Sequence, residues 1–161
     1  MFKASHAGFG AVLALAAGLA SAAVAGPSDT RAALSACATG FPTPATIASG
    51  FAAAGFVSQG DMGGMQMFLS PDGKTVAGTK GSAETGLRCV VMEHKLSTRK
   101  AGQLVDALLR QMPGASKLTP PTREVTVLYS GMLNNRLSNV FVARRFEFGP
   151  VAGAALLVEA E

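Results

Sequence analysis

The sequence predicts an α+β fold, an antiparallel sheet of about five to six strands packed by one long helix, with two short helices ahead of it. Three observations carry this expectation. Residues 98–112 hold one unbroken apolar stripe at helical spacing. Several short segments alternate apolar and polar residues between Gly, Pro and Asn turn signals. These segments follow one another without intervening helices, which favours antiparallel pairing. The expected order is α-α-β-β-β-α-β-β-β.

The elements follow in chain order. Ser28 or Asp29 can cap a first helix over 29–38, with Leu34 and Cys37 on one face and Gly40 ending it. Thr43-Pro44 supplies an N-cap and an N1 proline for a second helix over 44–54. Ile47, Phe51 and Ala54 share a side, Gly55 stands at C′, and Phe51 and Phe56 occupy the C3 and C″ positions of a Schellman ending. Ser58 to Gly64 is expected as loop from its glycines and polar residues. Met65–Leu69 and Thr75–Thr79 form a hairpin around Ser70-Pro71-Asp72-Gly73-Lys74, a turn in which Pro presets φ and Gly supplies φ > 0. A loop over 80–86 leads to a strand over 87–95, apolar at its centre and expected to be covered on both faces.

Ser97 caps the long helix. Ala101, Leu104, Val105, Leu108, Leu109 and Met112 form its buried stripe, and Pro113-Gly114 stops it. Strands over 124–130, 137–148 and 151–159 complete the chain, turning at Asn134-Asn135 and Gly149-Pro150. The second half thus repeats the plan of the first, a helix and then meandering strands. Arg144-Arg145 in the longest strand suggests an edge guarded by charge, in preference to an anion site.

The first 25 residues carry an address. Lys3 precedes an apolar run over 9–20, and Ala23-Val24-Ala25 gives an A-x-A site, the pattern of a secretory signal peptide. Cleavage near Ala25 leaves a single exported domain over 26–161, periplasmic or secreted. The apolar run spans about a dozen residues, short of the roughly 20 that a transmembrane helix needs, and no comparable stretch follows. The 48% apolar content is raised by this leader. Losing Lys3 takes the formal charge from +4 to about +3. The remaining basic residues are scattered, and the chain has no Trp and one Tyr, so a nucleic-acid partner is not expected.

Two cysteines in an exported chain predict a disulfide, Cys37–Cys89. Neither the C-x-x-C spacing of a redox pair nor the close Cys/His spacing of a zinc site is present.

Met62, Met65 and Met67 are the candidate metal residues, with His94 as a further ligand. Thioethers are soft ligands that favour Cu(I), and Met62-Gly63-Gly64-Met65-Gln66-Met67 resembles in spacing the methionine clusters of exported copper carriers. Methionine equally fills irregular cores. His94 is the only histidine left after cleavage. As a general base it lacks a placed partner, because its neighbours Glu93 and Lys95 face the other way on a strand. Ser82 and Ser130 stand in no nucleophile elbow. Gly60, Gly63 and Gly64 lack the G-K-[ST] of a phosphate loop. The sequence therefore favours a non-catalytic exported domain with no resident cofactor that binds a partner protein, envelope component or small ligand. The alternatives are a periplasmic Cu(I)-binding protein and an enzyme of unrecognised type.

Overall fold

The computed structural model describes residues 28–82 and 84–160, so the leader expected over 1–25 lies outside the described residues. The elements are α1 (Asp29–Gly40), α2 (Pro44–Ala53), β1 (Val57–Met62), β2 (Met65–Leu69), β3 (Thr75–Ser82), β4 (Gly86–Glu93), α3 (Thr98–Leu109), β5 (Ser116–Lys117), β6 (Val125–Leu133), β7 (Arg136–Phe148) and β8 (Val151–Ala160). The strands form one antiparallel sheet in the order β1-β2-β3-β4-β8-β7-β6-β5. The fold class is the expected α+β, but the sheet has eight strands where five to six were expected.

The two additional strands have distinct origins. The segment expected as loop over 58–64 is mostly β1 and its turn. Gly63 and Gly64 both take positive φ, 65° and 79°, and close a two-residue hairpin in which Met62 pairs with Met65. Consecutive residues at φ > 0 suit the right-handed twist of the flanking strands, so these glycines mark a turn between strands. β5 is two residues long and pairs with Ser130 and Tyr129 of β6, too short for any periodic pattern. β3 also runs on through Ser82, beyond the expected Thr79.

Local chemistry explains the remaining boundaries. α2 ends as its sequence demands. Gly55 has φ 87°, its N–H donates to Ala52 O at 3.0 Å, and the Phe56 N–H donates to Phe51 O at 3.0 Å. The rings of Phe51 and Phe56 meet at 5.9 Å. Ser97 caps α3 by accepting the Lys100 N–H at 3.3 Å. α3 ends at Leu109, and a tighter turn, with Met112 N–H donating to Leu109 O, carries Met112 into the core. Asn134 and Asn135, at φ 49° and 63°, form the β6–β7 turn. From there the Asn134 amide donates to Ala38 O and Phe41 O, both at 2.8 Å, and caps the end of α1. In the β2–β3 turn the Ser70 hydroxyl and then the Lys74 N–H donate to Asp72, and these bonds hold its carboxyl below the usual carboxylate range.

All three helices pack on one face of the sheet. Leu34, Cys37, Ile47, Phe51, Ala101, Val105 and Leu108 meet Phe68, Ala77, Val91, Val140, Val142, Leu156 and Val158 there. Each fully buried aliphatic or aromatic side chain of this kind contributes about 1.5–3 kcal/mol. The expected repeat is visible in the topology. α2 with β1–β4 and α3 with β5–β8 are each a helix and a four-stranded meander, and the two meanders join where β4 pairs with β8. β7 lies between β8 and β6, but its pairing with β6 stops at Ala143, so Arg144 and Arg145 stand where an interior strand becomes a local edge. Both are exposed at a bulge between Ala143 and Phe146.

Cys37 and Cys89 are bonded, with S–S 2.05 Å and Cα atoms 5.9 Å apart. Both are fully buried, and the bond ties α1 to β4, the strand expected over 87–95. A cross-link spanning 52 residues restricts the unfolded chain by about 4 kcal/mol in the chain-entropy model. We expect Cys37→Ala/Cys89→Ala to lower unfolding stability by about 2–4 kcal/mol in denaturant titration. An unchanged midpoint would show that the bond constrains nothing.

Candidate functional site

Strand alternation gives the sheet a second face. Met67, Val76, Val90, Met92, Val151, Ala155 and Leu157 form a separate apolar cluster there, with Met65, Leu69, Phe141, Ala143 and Phe148 packed around it. No helical residue belongs to this cluster. Met62 and Phe146, 47% and 36% exposed, lie on the same face, as do Met132 and Leu137 toward the far side of the sheet. One sheet face is therefore closed by helices, and the other presents apolar side chains with none of the described helices over it.

The two ends of this face meet at one corner. The β7 bulge inserts a residue before Phe146. The start of β8 also bonds the loop after β4, with the Lys95 N–H donating to Ala152 O at 2.8 Å and the Ala154 N–H to Leu96 O at 2.9 Å. Together these steer the β7–β8 hairpin tip toward the β1–β2 hairpin. Phe148, Pro150 and Val151 line one side of a cavity of about 190 Å³, and Met62, Met67 and Val76 line the other.

The methionines are gathered beside this cavity. Met62 and Met65 are direct cross-strand partners and so share a face. Met67 lies between two glycines, Gly60 on β1 and Gly78 on β3. A Cβ placed on Gly78 would lie 2.8 Å from Met67 Sδ and 3.0 Å from Met65 Sδ. Both sulfurs thus rest over the bare backbone of Gly78.

His94 is elsewhere. It is exposed just beyond β4, and its N–H donates to Lys74 O at 2.8 Å. Lys74 precedes Gly78 by four residues on an extended segment, about 13 Å along the strand direction. The structure brings Met62, Met65 and Met67 together and leaves His94 apart. Among the described residues no three His, Cys, Asp or Glu side chains cluster to hold a metal. Ser130 and Ser82, the other side chains weighed for chemistry, lie in β6 and at the end of β3.

Sequence reasoning missed two contributors. Phe148 reaches the corner only through the β7 bulge, which no local pattern announces. Glu93, weighed only as a neighbour of His94, accepts a hydrogen bond from the buried Thr30 hydroxyl, which also lies 3.3 Å from the Thr75 hydroxyl. This polar link fastens α1 to the start of β3 and the end of β4. Its only sequence signal was the inward side of Glu93 in the strand alternation.

The corner depends on a close backbone approach at Gly153, where a Cβ would lie 2.4 Å from Glu93 O and 2.9 Å from Leu96 N. Backbone atoms cannot swing aside as a side-chain end can. Gly153→Ala is expected to cost about 1–3 kcal/mol in denaturant unfolding. A fully stable Gly153→Ala protein would mean that the β8 start is not held against this loop.

No protein-family model matches the chain, and no curated protein or solved structure is significantly similar to it.

Proposed function

We propose that this protein is an exported, non-catalytic binding module that grips an apolar side chain of a partner protein at the corner between the β1–β2 and β7–β8 hairpins. The cavity carries this reading. At about 190 Å³ it is close in size to a cavity that holds one aromatic ring, about 150 Å³, and below the roughly 300–1,000 Å³ of pockets that enclose whole small molecules. A site of this size fits one group of a larger partner.

The setting supports a protein partner. β1 is an edge strand with all six residues exposed, and Met62 at its end lines the cavity. An extended segment laid along this edge would bring a side chain over the cavity, the geometry of strand addition. The bulge between Ser58 and Gly60 limits that pairing to a short stretch. The leader pattern over 1–25 and the Cys37–Cys89 bond support an exported setting.

Burying one ring of about 150 Å² at 25 cal/mol per Å² yields about 4 kcal/mol, a Kd on the order of 1 mM for an isolated group. Indole is a suitable probe. Titrated into the folded chain and followed by methyl and aromatic NMR, it is expected to shift Met62, Met67, Val76 and Phe148 saturably in the millimolar range. Phe148→Asp, which sets a charge at the cavity wall, is expected to remove the response while the fold persists. Shifts centred on the helix face, or no saturable shift, would overturn the proposal.

A further inference from the structure

We propose that Met62, Met65 and Met67 form a binding site for a soft monovalent metal ion, copper(I), on the helix-free face beside the cavity. This goes beyond the grip on an apolar group and does not depend on it. Three placements carry it. The β1–β2 register sets Met62 directly opposite Met65. Met65 and Met67 are two apart on one strand and project to the same face. Both of their sulfurs converge over Gly78, so they are separated by no more than the sum of their 3.0 and 2.8 Å distances to its Cβ position.

Two glycines make this possible. With Gly60 and Gly78 on either side of Met67, no side chain from a neighbouring strand stands between the thioethers. The long, unbranched methionine side chains can then turn their sulfurs toward a common point. Met62 is the exposed member and Met67 the buried one, which gives an ion an entrance from solvent and a floor.

The charges nearby select the kind of ion. The Lys80 ammonium donates to Gly63 O at 3.4 Å, and the Asp61 carboxylate accepts the Gly64 N–H at 2.9 Å in the same turn. Lys80 is the cross-strand partner of Met65 and shares its face, Asp61 alternates with Met62 and faces away, and the thioethers are neutral. With no net negative charge to hold a hard divalent cation, the ligand set favours a soft monovalent one.

The test uses the full disulfide-bonded chain and two probes, Cu(I) under anaerobic conditions against a competing chelator and Ag(I) without reductant. The parent is expected to bind one ion, with the shifts confined to the ε-methyl signals of Met62, Met65 and Met67. Loss of an outer-shell partner commonly costs 10–100-fold in metal affinity, so Met62→Leu/Met65→Leu/Met67→Leu is expected to weaken binding by at least about 100-fold. Met-to-Leu exchanges are well tolerated in packed sites, and the melting transition checks the fold. Gly78→Ala keeps every ligand but pushes both sulfurs aside, and is expected to weaken binding about tenfold. Met132→Leu and His94→Ala are expected to change nothing. Met65 does not line the cavity, so Met65→Leu is expected to weaken Ag(I) binding while the indole response persists, and the two proposals fail separately. A parent that binds neither probe, a triple variant that binds as tightly as the parent, or a His94→Ala variant that loses the ion would overturn the proposal.

Discussion

The antiparallel pairing of β4 with β8 is the constraint on which the rest of the structure depends. It joins the last strand of each four-stranded meander, in register from Arg88↔Glu159 to Met92↔Ala155. Val90, Val91, Leu156, Leu157 and Val158 are all buried there, so both faces of the junction are apolar. An Arg88–Glu159 ion pair stands at one end of the ladder. The disulfide attaches α1 to β4, and the Thr30–Glu93 bond attaches it again near the end of the same strand. The helix layer is thereby referenced to the sheet centre and not to its edges.

The difference between the two faces follows from this arrangement. α2 and α3 each precede a meander, and with α1 they cover a single side. The opposite side buries its centre through neighbouring side chains and the returning β7–β8 hairpin, and it stays open at the margin, where Met62 and Phe146 are exposed. The cavity and the methionine group both lie where the bent hairpin meets the free β1 edge. The binding role proposed for this corner would draw on the β1 edge, whose residues are all exposed.

Elements governed by local chemistry were legible in the sequence. Pro44 and Gly55 bracketed α2, the apolar stripe announced α3, and two cysteines behind a leader-like N-terminal pattern announced their bond. β1 was not legible, because a glycine-rich segment has the same composition in a loop and in a hairpin, and only pairing with β2 distinguishes them. β5 was too short to carry a pattern. The same limit divided the candidate site. The spacing of Met65 and Met67 fixed their common face, and the hairpin register set Met62, already a candidate, opposite Met65. The distance to His94 depended on how β3 pairs with its neighbours, which no local pattern encodes. Gly78 and Phe148 arrived by sheet register and by a bulge, both non-local.

Residue-resolved amide hydrogen exchange tests the central role of the β4–β8 junction most directly. If that pairing holds the molecule together, the amides of Val90, Val91, Leu156 and Leu157 exchange last and through one opening shared by both halves, while the amides of β1 exchange through smaller openings. Exchange of β1–β4 and β5–β8 as two units with separate opening free energies would contradict the account, since each meander would then stand without the other.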